Sequence, residues 1–137
     1  MNYSTFDNSN FFIKKDSTLP EIEFHLTQQV MMQYDITDDM LQNVAVTFSM
    51  IDADTGLYQI ANVPANIEYI RLRPQYPDNF IYELSYRFKL FQTRKPGRYL
   101  GEFVCDFLGE NCGKIKLPVD GMINIIISDS ITKTTVI

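Results

Sequence analysis

The side chains of this chain that could do chemistry are few, and the first is His25, the sole histidine in 137 residues. An imidazole serves as a general base only when a nucleophile and an orienting acceptor stand within hydrogen-bond reach. His25 lies in the run Ile22-Glu23-Phe24-His25-Leu26, on the face opposite Phe24 and Leu26, and reads as a surface histidine on the wet side of a strand. Acidic side chains gather in two places. Asp35, Asp38 and Asp39 would make a general acid and base if a cleft held them together. A run of this kind ordinarily opens a helix, where the helix dipole favours negative charge. Asp52 and Asp54 resemble the start of a calcium loop, but that loop needs glycine at its sixth position and glutamate at its twelfth. Counting from Asp52, those places hold Leu57 and Val63, so the segment reads as a hairpin turn with Gly56. No Gly-rich phosphate loop, Cys/His metal spacing or nucleophile motif occurs. The expectation is no catalytic residue, no metal ligand, no cofactor and no enzymatic activity.

Two cysteines, Cys105 and Cys112, flank a turn signal and could meet across a hairpin. The first ten residues are polar, with no basic start and no apolar stretch behind it, so they do not read as a secretory signal. Reduced thiols in a cytoplasm, or in a protein released by lysis, are therefore expected. A net charge of −5 argues against nucleic acid as a partner, because neutralising phosphates needs a basic face. Lys14-Lys15 and Arg94-Lys95 with Arg98 are too small for that task. Nothing approaches the roughly 18 consecutive apolar residues of a membrane-spanning helix, so no membrane is expected either.

The elements that would position these groups are strands. Ten Phe, eight Tyr and recurring Val, Ile and Thr suit a pleated, half-buried surface. Period-2 alternation runs through Ile22–Leu26 and through Val44, Val46, Phe48 and Met50, and the Asp52–Gly56 turn leads back into a strand from Leu57 to Ala61. Further strands are predicted over 66–72, 80–91 and 98–108. Between the last two, Thr93-Arg-Lys-Pro-Gly97 specifies a reversal. Ile115–Val119 and Met122–Ile127 close the set around Asp120-Gly121. One short helix is predicted, Asp38–Gln42, capped by Thr37. The whole reads as an all-β, immunoglobulin-like sandwich of about seven to nine antiparallel strands with one short helix. Its expected divisions are a flexible arm over 1–10, the sandwich over 11–127, and a tail over 128–137 available for ordering by a partner.

A sandwich of this size cannot bury every aromatic ring. Tyr69, Tyr76, Phe80 and Phe91 lie near strand ends or in the proline-flanked segment Arg73–Asn79, and are candidate interface residues. Thr134 and Val136 join them, because the tail is polar yet β-prone and suited to adding a strand to a neighbour.

The segments also occur in a familiar order. Phe12-Ile-Lys-Lys-Asp-Ser-Thr-Leu-Pro20 precedes the strand Ile22–Thr27. Asp35-Ile36-Thr37, Val46-Thr-Phe-Ser-Met50 and the Asp52–Tyr58 turn follow. Then come Pro96-Gly-Arg-Tyr-Leu-Gly-Glu-Phe103 and the apolar close Ile115–Ile127 with Pro118 inside it. In that order they resemble the N-terminal domain of phage baseplate upper proteins and related tailed-phage virion structural proteins. The resemblance implies a virion structural protein, assembled in the host bacterial cytoplasm, with other virion proteins and itself as partners. A tail or baseplate adaptor or fibre anchor is the first expectation. A head fibre, a capsid-decoration protein or a carbohydrate- or receptor-binding module of the virion is the alternative.

Overall fold

The computed structural model describes residues 10–70, 80–108 and 113–130, with backbone alone at Phe80. In chain order its elements are β1 (Asn10–Lys14), β2 (Ile22–Thr27), α1 (Gln28–Gln33), α2 (Asp38–Gln42), β3 (Val44–Asp52) and β4 (Tyr58–Pro64). They continue with β5 (Asn66–Tyr69), β6 (Phe80–Tyr86), a 3-10 turn (Leu90–Thr93), β7 (Gly97–Phe107), β8 (Gly113–Leu117) and β9 (Ile123–Ser128). Two sheets form. The larger runs β1-β9-β7-β3-β4, with β8 also paired to β7, and the smaller runs β2-β6-β5. The chain is all-β, as its composition implies.

Alternation decides which faces meet. Ile22, Phe24 and Leu26 of β2 and Tyr82, Leu84 and Tyr86 of β6 point inward from the small sheet. Val46, Phe48 and Met50 of β3 and Tyr99, Phe103, Cys105 and Phe107 of β7 point inward from the large one. Phe48 joins the layers: its ring stacks on Tyr86 at 4.9 Å, leans on Phe103 at 5.0 Å and meets Phe88 edge-on at 6.0 Å. Such ring pairs add about 0.5–1.5 kcal/mol each beyond the area they bury. Room for that ring comes from β7. A Cβ at Gly101 would lie 2.7 Å from Ile125 Cδ1 and 3.0 Å from Phe48 Cζ.

The structure departs from the sequence reading in five places, the first being β1, where no strand is predicted. There are two short α-helices: Val30 N–H donates to Thr27 Oγ1 at 3.1 Å, so Thr27 closes β2 and caps α1 at once. Lacking acidic first-turn residues, α1 carries none of the charge signal that marks α2. The pairing is not wholly antiparallel, because β1 runs parallel to β9, Asn10 opposite Asn124 and Lys14 opposite Ser128. Strands this far apart in sequence can pair in either sense, since no tight turn joins them. The strand predicted over 80–91 stops at Tyr86. Gln92 Oε1 accepts from Lys89 N–H at 2.8 Å and Tyr86 O–H at 2.9 Å, which folds the chain into the 3-10 turn and leaves Leu90 exposed. Finally, β8 and β9 are not a hairpin. Both pair with β7, residues 113–117 against 107–103 and residues 123–127 against 101–97, so 118–122 offsets the chain without reversing it.

Cys105 is a buried free thiol, and burial pushes its pKa up to about 12; Cys112 lies outside the described residues. Native protein should therefore leave Cys105 unalkylated at neutral pH, with labelling only on unfolding, read by peptide mass spectrometry. Gly101→Val should destabilise by about 1–3 kcal/mol, the usual range for overpacking a filled core. Chemical denaturation checks this, and Ile125→Ala in the same chain should restore part of the loss.

Candidate functional site

Three surface features gather the chemistry, and sheet register builds the first. On β2, Glu23 and His25 stand two residues apart on the outer face, since Ile22, Phe24 and Leu26 take the inner one. Register places His25 opposite Glu83 of β6, and Glu83 opposite Glu68 of β5. His25 Nε2 lies 3.3 Å from Glu23 Oε1 and 3.4 Å from Glu83 Oε2. The side chains of His25 and Glu83 are only 18% and 21% exposed, so the group is half sunk into the sheet. Burial, first, then the charges of Glu23 and Glu68 raise the Glu83 carboxyl above its ordinary value, against the opposing pull of His25. Beyond the Glu23–Ser85 row, Arg87 Nε pairs with Glu21 at 3.0 Å.

The second feature is a groove of about 450 Å³ between α2 and the small sheet, lined by Asp38, Leu41, Gln42, Ile67, Tyr69 and Tyr82. Thr37 Oγ1 accepts from Met40 N–H at 3.2 Å and fixes the start of α2. That start places Asp38 Oδ1 2.8 Å from the Tyr82 hydroxyl, which donates to it. Burial, followed by the hydrogen bond and charge of Asp38, pushes Tyr82 up to about 12. Tyr69, well exposed, leans its ring on Tyr82 at 5.2 Å.

The third is the pole where three connections meet: 15–21, 53–57 and 87–96. Thr93 ties the first to the third, its Oγ1 donating to Ser17 O at 2.8 Å and accepting from Ser17 N–H at 3.1 Å. Asp16 N–H donates to Thr93 O at 3.1 Å. Gln59 Nε2 donates to Gln92 O at 3.2 Å, and Ala53 N–H to Arg98 O at 3.0 Å, which bring the second connection to the same end. Leu19, Leu57, Leu90 and Phe91 on these segments are each more than half exposed.

Of the sequence candidates, then, Tyr69 lies in the groove and Phe91 at the opposite pole, so the structure does not bring them together. Tyr76, Thr134 and Val136 lie outside the described residues, as does the side chain of Phe80. The acids do not assemble either. Asp35 turns the chain between the helices with φ 56°, Asp38 serves Tyr82, and Asp52 Oδ1 accepts from Asp54 and Thr55 N–H at 2.8 and 3.2 Å. Those two amides hold the Asp52 carboxyl below its ordinary value. Glu23 beside His25 was legible as an i, i+2 pair on a wet strand face. Glu83, Glu68 and Tyr82 were not, because cross-strand register brings them in. In comparison with known proteins, no family model, curated protein or solved structure matches the chain.

The buried phenols generate a pH prediction. Tyr82 keeps its proton to about 12 when folded against 10.0 otherwise, and burial likewise raises Tyr86 and Tyr99. Across that window the folded chain binds more protons than the unfolded one, so stability should fall as pH rises from about 10 toward 12. Circular dichroism against pH should show alkaline unfolding in this range, and Tyr82→Phe should move its midpoint to higher pH. An unmoved midpoint would count against the account of Tyr82.

Proposed function

We propose that this chain is a non-enzymatic, immunoglobulin-like assembly module, a virion structural protein of the tailed-phage type that acts in a tail or baseplate through protein–protein contacts. Strand order supports the immunoglobulin-like reading. With β2, β6 and β5 as strands B, E and D, the larger sheet takes G, F, C and C′ from β8/β9, β7, β3 and β4, the arrangement of variable-type domains. Tyr99, near the start of the F strand, donates its hydroxyl to Lys95 O at 2.7 Å, in the manner of the tyrosine corner of such domains. Gly101 stands two residues on, where antibody domains carry a disulfide-bonded cysteine, and Phe48 occupies that space.

The observation that carries the assembly role is the apolar pole. Four large side chains, each more than half exposed, sit on connections that hydrogen bonds gather at one end of the sheets. Large apolar side chains exposed at one end of a scaffold are a usual mark of a protein contact. The β4 edge of the larger sheet is less suited to contact by strand addition. On one side, β4 ends in Pro64, carries Asn62 at φ 51° and shifts register against β3, devices that discourage strand addition. The partners proposed are other virion proteins and further copies of this chain, and the proposed location is the particle, assembled in the host bacterial cytoplasm.

A second reading, a carbohydrate- or receptor-binding module of the virion, is favoured by the groove beside α2. It offers the exposed ring of Tyr69 for stacking, with Asp38 and Gln42 as polar groups at its wall.

Mass spectrometry of purified phage particles, with and without tails, should find peptides of this chain at many copies and lose them with the tails. Finding them only in the lysate would remove the structural reading. Phe91→Asp with Leu90→Asp should leave the melting temperature within a few degrees of the parent while reducing incorporation into particles by about tenfold, one lost contact of about 1.4 kcal/mol. Tyr69→Ala should leave incorporation unchanged. If instead it abolishes binding on a glycan array, the second reading takes first place.

A further inference from the structure

We propose that Glu23, His25 and Glu83 form a binding site for one divalent transition-metal ion, with zinc the best fit, which ties β2 to β6 across the outer face of the smaller sheet. The inference is independent of the assembly role.

Donor chemistry comes first. One imidazole nitrogen with two carboxylate oxygens is a mixed set that zinc accepts, whereas calcium and magnesium take oxygen ligands almost alone. Three protein ligands leave one position for water, the arrangement of open zinc sites.

Geometry comes second. A tetrahedral zinc with bonds of about 2.0–2.2 Å sets its ligand atoms about 3.4 Å apart. His25 Nε2 already lies 3.3 Å from one Glu23 oxygen and 3.4 Å from one Glu83 oxygen, and all three ligand atoms fall within 4.8 Å of one another. The backbone supplies these separations through two fixed relations, the i, i+2 repeat along β2 and the direct opposition of His25 and Glu83. The site is therefore built on strands.

Charge comes third. Glu68 stands directly across from Glu83, and carboxylates opposed in this way repel. Arg87, just past the end of β6, is paired with Glu21 beyond the Glu23–Ser85 row. A bound dication would relieve three crowded carboxylates at once, while Glu68, on the far side of Glu83 from His25, serves the field and is not a ligand.

The test uses the full chain stripped with chelator and then titrated with zinc chloride, followed by isothermal calorimetry and thermal unfolding. The expected result is one equivalent bound and a melting temperature raised by about 5–10 °C at a hundredfold excess over Kd. Magnesium or calcium chloride should give no shift. Cobalt chloride should give the visible bands of a four-coordinate ion.

His25→Ala should weaken zinc binding by about a hundredfold or more. Glu23→Gln, at the most exposed of the three positions, should keep the unliganded melting temperature and still lose most of the affinity. Glu68→Gln should retain binding. The absence of a zinc-dependent shift in the parent chain, or a shift that survives in both His25→Ala and Glu23→Gln, would overturn the proposal.

Discussion

The packing of Phe48 between the two sheets is the constraint on which the rest of the structure depends. Its ring is fully buried, stacked on Tyr86 of the smaller sheet and braced by Phe103 and Phe88. The ring can lie there because β7 has no side chain at Gly101, and β9 covers the gap with Ile125. One large residue on β3, one absent side chain on β7 and one aliphatic on β9 thus fix the spacing of the layers. Truncating such a ring typically removes about 3–5 kcal/mol, a large share of a domain's stability. Ile, Leu and Phe side chains elsewhere fill the volume that this contact defines.

Polar groups inside the fold follow from the same closeness. Two sheets brought together by aromatic stacking must close their connecting loops over the core, and these loops carry amides and hydroxyls out of water. Gln92 and Thr93, both buried, answer for most of them at one pole: Gln92 receives Tyr86 and Lys89, and Thr93 receives and returns bonds from Ser17. Among the described residues, no buried side-chain polar atom lacks a partner. Because these loops are held by hydrogen bonds from within, their apolar side chains are free to face outward. Leu19, Leu90 and Phe91 face outward on segments that Thr93 and Gln92 tie down. A contact surface that is already ordered loses less entropy when it docks.

The three candidate features occupy separate parts of the sandwich. The apolar pole sits where β2 and β7 begin, the tyrosine groove lies beside α2, and the Glu23–His25–Glu83 group lies on the outer face of the smaller sheet. This separation is what a scaffold of alternating strands produces. Inner positions are committed to packing, and chemistry is left to outer faces and loop ends. It also means that a change in one feature need not disturb the others.

How much of this was legible in the sequence depends on the range of the interaction. Alternation along Ile22–Leu26, Val44–Met50 and Tyr99–Phe107 settled the strands and their inner faces, because the side-chain period of a strand is local. Thr37 with Asp38 and Asp39 marked α2 for the same reason, since a cap and a dipole act within one turn. Thr27 escaped notice because it closes a strand and caps a helix together, and each signal masks the other. The end of β6 at Tyr86 depends on Gln92, a residue whose side chain had to reach back to the chain's own backbone and to a phenol. The parallel seating of β1 on β9, the in-line course of β8 and β9, and the meeting of His25 with Glu83 all join segments far apart in sequence. Those pairings arise only when whole sheets compete for register, and no local pattern encodes the outcome. The residues alone determined a β-rich chain with an apolar period and a surplus of aromatic rings. Tertiary packing decided which strands became neighbours, and so which polar side chains share a face.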